Sequence, residues 1–328
     1  MRAAFIENFG PPDAIRCGEL PQPRPGPTDV LVDVEVTTVN HVDTFVRSGA
    51  WRTPVEFPFV IGRDLVGTVA EAGPGAPGFS VGDRVWCNSL GYGGRQGAAA
   101  ERVVVPRDRL YHLPAGVSPE DAVAVAHPAA TAYLGLFTHG RLRAGETVVV
   151  AGAGGNVGGA LVAMAAQAGA KVVAVAGSYD ADHCRSLGAS EVVDYRAPDV
   201  VERIAALCPD GVDLYADAAG RNNVAEVVDL LARRGRLVLL AGMHTRAVLP
   251  VGALYTRDRS VIGFAISQAD AGELAEAAGH VGRMLAEKRL APRRVEVLPL
   301  AAAAEAHRRV EAGEGAGRRF VLHTGPRA

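Results

Sequence analysis

The hydrophobic pattern changes period once along the chain. Residues 30–39 (VLVDVEVTTV) alternate apolar and polar positions, as a strand with one face in a core does. Residues 64–71 (DLVGTVAE), 84–86, 103–105 and 110–113 are further short strands, set between Gly/Pro-rich turns such as residues 73–78. Residues 1–115 therefore read as β-rich. Pro21, Pro23, Pro25 and Pro27 recur at every second position, which suits an extended connector better than a PxxP ligand. Near Pro119 the pattern becomes helical: residues 120–137 are alanine-rich, with a break expected at Pro128. Strands are then expected at 147–151, 171–176, 191–195, 212–216, 236–241 and 260–266. Helices fall between them at 157–168, 181–187, 199–207 and 223–233. This alternation predicts a parallel sheet with helices on both faces. A tail of helix 270–288, strand 295–298, helix 301–312 and strand 318–323 is expected to return to the first domain. The predicted organisation is a discontinuous β-rich domain, 1–120 and 267–328, around an α/β domain, 121–266. No internal repeat stands out.

A chain of 328 residues exceeds one usual core, in keeping with two domains. The 34 basic and 36 acidic residues nearly cancel, and no arginine-rich arm appears, so a nucleic-acid partner is not indicated. Arg233, Arg234 and Arg236 form a short basic cluster, read as a solvated helix end before a strand. Cys17, Cys87, Cys184 and Cys208 are far apart and form no C-x-x-C pair, so neither a zinc ribbon nor a disulfide framework follows. Thiols in a reducing compartment are the simplest account. The chain opens on a strand-like MRAAFIENFG, without a signal-type apolar region, and no apolar run is long enough to span a bilayer. A cytoplasmic protein with no membrane partner is expected.

Chemistry enters at residues 148–158 (VVVAGAGGNVG). A β-branched apolar run feeds a glycine-dense turn, and a proline-free apolar segment follows. Such a turn lets backbone N–H groups approach a pyrophosphate while the new helix points its positive end at it. The spacing Gly152-x-x-Gly155-x-x-Gly158 departs from G-x-G-x-x-G, and 39 glycines make chance clusters easy, so context decides. Residues 171–176 (KVVAVA) supply it, completing a βαβ unit of the expected size.

Motifs outside that turn carry a resemblance. Residues 39–49 (VNHVDTFVRSG), Pro58-x-x-x-Gly62-x-Asp64-x-x-Gly67-x-Val69, residues 81–85 (VGDRV) and the Thr131–Ala132 pair stand in a familiar order. Residues 187–195 (LGASEVVDY), Gly211-x-Asp213-x-x-x-Asp217-x-x-Gly220 and residues 235–238 (GRLV) continue it. Over nearly its whole length the chain resembles the medium-chain dehydrogenase/reductase superfamily, and within it the zinc-independent quinone oxidoreductases related to zeta-crystallin. The resemblance implies a Rossmann doubly wound parallel sheet and a GroES-like β-rich domain. Zinc alcohol dehydrogenases of this superfamily carry Cys where Asn40 stands and G-H-E where Gly62–Arg63–Asp64 stands, and the lobe with four close cysteines is absent here. No metal is therefore expected, although His41 and Asp43 lie nearby in sequence.

What the resemblance implies is hydride transfer from NADPH, or alternatively NADH, to an acceptor already activated by conjugation. The acceptor is a quinone or, as an alternative, an α,β-unsaturated carbonyl (enone or enoyl) substrate. A non-catalytic, crystallin-like NADPH-binding protein is the reading of another class. Asn40 is expected at the nicotinamide and the substrate, against a turn Asn bonding its own backbone. Trp51 and Tyr92 are candidate pocket walls, Tyr92 also a proton donor, and His41 a candidate relay. The cofactor is expected at Thr131, Gly152, Gly155, Asn156, Val157, Gly158, Ser178, Tyr195 and Gly242. Phe264 is a further candidate whose plainer role is core packing. Ser178, at a small neutral strand end, suits a 2′-phosphate; Asp180 and Asp182 oppose one, and Arg185 is a candidate to compensate. His127 is read as capping the break at Pro128, and loss of the family's ring at Ala99 as loosening or widening its surroundings. Relatives pair through the edge of the cofactor sheet, here residues 260–266, so a homodimer is expected.

Overall fold

The computed structural model describes residues 1–325, which form two compact units, Met1–His127 with Asp270 onward, and Pro128–Ala269. The helix Pro119–Tyr133 carries the chain from the first unit into the second. It runs through Pro128 without the expected break and continues as a π-helix, Leu134–His139. Proline removes one helix N–H and crowds the carbonyl four residues back, which can kink a helix without ending it, so the residue alone does not fix a boundary.

In the second unit, among the described residues, six strands form an all-parallel sheet. From edge to edge they are Glu191–Asp194, Lys171–Ala176, Thr147–Ala151, Val212–Asp217, Leu231–Leu239 and Ser260–Gly263. The order reverses at Thr147–Ala151, where Lys171–Ala176 pairs on one side and Val212–Asp217 on the other. That reversal is the switch point at which open α/β sheets bind ligands beyond their strand ends. The central strands are apolar on both faces: Val148, Val149, Val150, Val172 and Val173 are fully buried. Arg236, expected on a solvated cluster, is instead buried inside Leu231–Leu239. Its guanidinium donates to both carboxylate oxygens of Glu146 and to the carbonyls of Gly140 and Asp213. Local charge counting has no access to a carboxylate ninety residues away in sequence.

In the first unit, Asp29–Thr38 is the hub strand. It pairs with Leu65–Ala72 and Arg102–Pro106, and its far end pairs with the C-terminal strand Arg319–His323, with Val321 opposite Thr38. Arg319–His323 in turn pairs in parallel with Val295–Pro299. A smaller sheet joins Arg16–Glu19, Arg2–Ile6 and Phe59–Val60. One apolar core gathers Ile6, Val32, Leu65, Leu90 and Phe320. Ala98, Ala99 and Ala100 sit fully inside it, and Ala99 bonds Ile61 and Ala4 through its backbone, so this small-residue run is close-packed. A short helix, His41–Ser48, follows the hub strand directly. No described helix is long and apolar enough to cross a membrane, and the cysteines form no disulfide among the described residues.

Candidate functional site

The turn after Thr147–Ala151 is built for close backbone approach. Gly152 lies at φ +78°, and a Cβ on Gly158 would fall 2.0 Å from the Gly152 carbonyl oxygen. A side chain would be strained at Gly152 and would collide with backbone at Gly158. Gly155 is the N-cap of the helix Asn156–Gln167 and has no side chain to occupy the first helical N–H groups. A Cβ there would meet only the Gly152 oxygen, at 3.2 Å, so the space above is open. Neighbouring strand ends contribute two more turns. Asp217 accepts hydrogen bonds from the N–H groups of Ala219 (2.9 Å) and Gly220 (2.8 Å). Gly242, at φ +95°, packs against Gly220 so closely that a Cβ on Gly220 would fall 2.4 Å from the Gly242 nitrogen. Gly152, Gly155, Asn156, Val157, Gly158 and Gly242 thus lie at the C-terminal ends of adjacent parallel strands, a cradle that fits a pyrophosphate and its ribose neighbours.

The ends of the next two strands hold a cluster the sequence showed only in part. Ser178 is exposed; its N–H donates to Asp194 (3.2 Å), which also accepts from the N–H of Arg196 (2.9 Å). The Arg196 N–H, followed by the backbone and hydroxyl of Ser178, holds the Asp194 carboxyl below its usual range. The Arg196 guanidinium lies 5.4 Å from the Tyr179 ring centre and 5.1 Å from that of Tyr195, and both phenols are exposed. Asp180 turns inward and is buried against Gly154, where a Cβ would fall 2.3 Å from its carboxylate oxygen. Asp182 is ion-paired to Arg185 at 3.1 Å, so those two charges offset each other locally. The basic residue missed at this end is Arg196; its signal was its place directly after Tyr195 at a strand end. Thr131 is half-buried in the last turn of its helix. Phe264 stacks on His139 (4.3 Å between ring centres) and lies against Gly135.

In the first unit, Asn40 is the N-cap of His41–Ser48 and its N–H donates to Asp43 (2.7 Å). Its side chain reaches across the unit: Nδ2 donates to Asp64 (2.8 Å) and Oδ1 accepts from Arg319 (2.7 Å). Arg319 also donates to Thr38 (3.2 Å). Asn40, Asp43, Arg63, Asp64, His127 and Arg319 are all buried. Burial pushes the Asp43 carboxyl up to about 6, against the opposing charge of Arg63. Burial, with the charge of Asp43 added, raises Asp64 well above the usual carboxylate range. His127 is driven down to about 3, first by burial and then by Arg63 and Arg319, so its imidazole is neutral. It sits 3.7 Å from Asp64, inside an unbroken helix turn, and does not cap a helix end.

Tyr92 covers the Arg63 guanidinium at 5.3 Å from the ring centre, and Trp51 meets Tyr92 edge-on at 5.9 Å. The two expected walls, Trp51 and Tyr92, are therefore together. His41 is exposed, its ring against Phe45. The residues missed from sequence are Arg63 and Arg319, whose pairing depends on strands far apart in the chain.

Comparison with known proteins fits this geometry. Residues 156–280 match the zinc-binding dehydrogenase family, and residues 26–115 match the alcohol dehydrogenase GroES-like domain. A mouse quinone oxidoreductase is 30% identical over 98% of this chain and 97% of its own length. A solved NAD-dependent alcohol dehydrogenase superposes with a TM-score of 0.88 at 31% identity, covering 99% of this chain and all of that one. A quinone oxidoreductase from Pseudomonas syringae gives 0.86 at 27% identity, covering 98% of this chain and 99% of that one.

The raised Asp43 carboxyl makes stability depend on pH. A carboxyl whose folded value, about 6, lies above its unfolded 3.8 holds its proton more tightly when folded. Its contribution is therefore full below about pH 4 and is lost as pH rises through about 6, by on the order of 3 kcal/mol. Asp43→Asn keeps an oxygen for the Asn40 N–H and removes this slope. Urea unfolding of both proteins between about pH 4 and pH 7 should show the wild type losing stability relative to the variant. Parallel curves would refute the assignment.

Proposed function

This chain belongs to the quinone oxidoreductase family of the medium-chain dehydrogenase/reductase superfamily and is an NAD(P)H-dependent oxidoreductase; from that premise we propose that it reduces quinones with NADPH and without a metal. The observation that carries the cofactor half is the glycine cradle at the strand ends together with the Arg196 guanidinium between two exposed phenols. The cradle's N–H groups hold the pyrophosphate. Arg196 supplies the positive charge for a 2′-phosphate, and Tyr179 or Tyr195 offers a face for the adenine. Asp194, tied to Ser178, is the observation that favours NADH instead, since a carboxylate there suits a ribose diol. The cradle would hold a reduced nicotinamide dinucleotide, whose chemistry is to supply a hydride to the acceptor. Asn40 uses one N–H on Asp64 and keeps a second for the acceptor oxygen, with its amide held in one orientation by Arg319. The Tyr92 hydroxyl is the proposed proton donor and Trp51 the neighbouring wall.

The match to zinc-binding dehydrogenases calls for a test of the donor set. Zinc takes about three N, S or carboxylate donors. Here the corresponding places hold an amide, Asn40, and a guanidinium, Arg63, while Asp64 already accepts from Asn40. Among the described residues no three His, Cys, Asp or Glu side chains converge as ligands. These residues do not fit a zinc ion. We also place the protein in the cytoplasm, a reducing setting that suits four cysteines without a disulfide.

Rates with a panel of benzoquinones, naphthoquinones and 2-alkenals test the acceptor. Oxidation of NADPH by quinones faster than by alkenals is expected. The reverse order supports an enone reductase, and cofactor binding without turnover of any acceptor supports a non-catalytic role.

Calorimetric titration tests the cofactor. NADPH should bind more tightly than NADH, and Arg196→Ala should weaken NADPH about tenfold while leaving NADH nearly unchanged. Equal losses for the two cofactors would assign Arg196 to folding or to the shared parts of the dinucleotide.

Assembly is proposed through Ser260–Gly263, the sheet's edge strand, paired on one side only among the described residues. Leu249, Val248, Val251 and Tyr255 beside it in sequence are exposed. A second copy extending the sheet across this edge would cover apolar surface that water otherwise wets. Sedimentation equilibrium should read two copies at micromolar concentration, and Val251→Glu with Tyr255→Glu should shift it to one.

A further inference from the structure

The buried polar group around Asp64 carries more charge than the proposed chemistry uses. Asp43 and Asp64 are 4% and 0% exposed, and Arg63 is 2% exposed. The Arg63 Nε lies 3.6 Å from Asp43, too long for a hydrogen bond. Among the described residues, Nε and Nη2 of Arg63 and Oδ1 of Asp64 have no hydrogen-bond partner. Arg319 approaches Asp64 only to 4.0 Å. The arrangement is thus held by charge more than by directed bonds: a planar cation lies among two carboxylates, under the Tyr92 ring.

We propose that Arg63 is the resident cation of a buried cation-binding site, built from Asp43, Asp64 and the neighbouring imidazole of His127, and that its presence keeps a divalent metal out. The inference deepens the metal-independent part of the reading above and does not depend on which acceptor is reduced.

The physical case rests on balance. Two sealed carboxylates cannot both stay ionised without cations beside them. Both arginines act on both carboxylates: Arg319 is also tied to Asp64 through Asn40, and Arg63 is the stronger of the two charges acting on Asp43. A guanidinium fits this role because it spreads its charge over a plane and stacks on an aromatic face. Asp64 Oδ1 and His127 Nδ1, 3.7 Å apart, are an oxygen and a nitrogen of the kind a borderline metal takes, and Asp43 is a third donor. Among the described residues these three do not converge as ligands, and the Arg63 guanidinium lies beside Asp43 at 3.6 Å. Exchanging it for an imidazole removes the repelling charge and adds a ligand.

Two measurements test this, neither of which uses turnover. Arg63→Ala should lower the melting temperature by roughly 10 °C. Methylguanidinium at concentrations that leave the wild type unchanged should restore most of that loss, while Arg63→Met, which fills the space with apolar atoms, should gain nothing. If Arg63→Ala does not fold alone, methylguanidinium added during refolding should recover it. In the second, Arg63→His titrated with Co²⁺ should develop the visible d–d absorption of a low-coordinate ion with stoichiometric uptake, and the wild type should stay colourless. The proposal is overturned if Arg63→Ala is as stable as the wild type or is not recovered by methylguanidinium. It is equally overturned if Arg63→His takes up no Co²⁺, or if the wild type takes it up with the same spectrum. Quinone reduction by the wild type is a separate readout, so loss of the acceptor assignment would leave this test standing.

Discussion

The polar architecture of the first unit follows from sealing carboxylates among apolar strands. Asp43 and Asp64 are out of water, and removing either compensating partner from such a pair typically costs about 3–5 kcal/mol. Asp64 reaches Arg319 through the Asn40 amide, and Arg319 belongs to the last strand of the fold. That strand must come back to the hub strand, with Val321 opposite Thr38, for the charges to meet. Closure of the discontinuous domain and orientation of Asn40 are therefore one event. An amide held at both ends by charged groups is fixed in orientation, which suits the preorganised donor role proposed for Asn40.

The second unit is shaped by a different constraint, the approach of backbone to backbone. Gly152 and Gly158 touch where any side chain would collide, and Gly220 and Gly242 repeat the device on neighbouring strand ends. Side chains are excluded at Gly152 and Gly158, so a cofactor bound there as proposed would be recognised by N–H groups and the helix dipole, which read phosphate and not base. On that proposal, discrimination between cofactors is left to side chains at the outer strand ends. Arg196, against the rings of Tyr179 and Tyr195, and Asp194, tied to Ser178, stand two residues apart in sequence and oppose each other in charge.

Patterns with a local cause were legible in the sequence. The strands at 147–151 and 171–176 emerge with the bounds their apolar runs predict, because a fully buried parallel strand needs no partner-specific signal. The glycine turn was legible for the same reason. The family resemblance pointed to Asn40, Trp51 and Tyr92, and the structure brings the last two into contact. Illegible features depend on what lies across the fold. Pro128 does not break its helix, Arg236 is buried against Glu146, and the partners of Asn40 are at positions 64 and 319. The helix His41–Ser48 was hidden by its shortness, and the inward turn of Asp180 by its dependence on the missing side chain at Gly154.

The identity of residue 63 bears on the kind of acceptor such a protein can serve. A divalent metal accepts a lone pair and pulls electron density out of an alcohol or an unconjugated carbonyl. A guanidinium offers only charge and hydrogen bonds, and here it is already committed to balancing Asp43. In the mechanism proposed above, the polarising groups are the second N–H of Asn40 and the hydroxyl of Tyr92, each worth a few kcal/mol of transition-state stabilisation at most. That suffices where the acceptor spreads its incoming charge over a conjugated system, and falls short where the charge would rest on a single alkoxide. On the proposed reading, a cation in place of a ligand at this buried position favours conjugated acceptors, because those need the least activation.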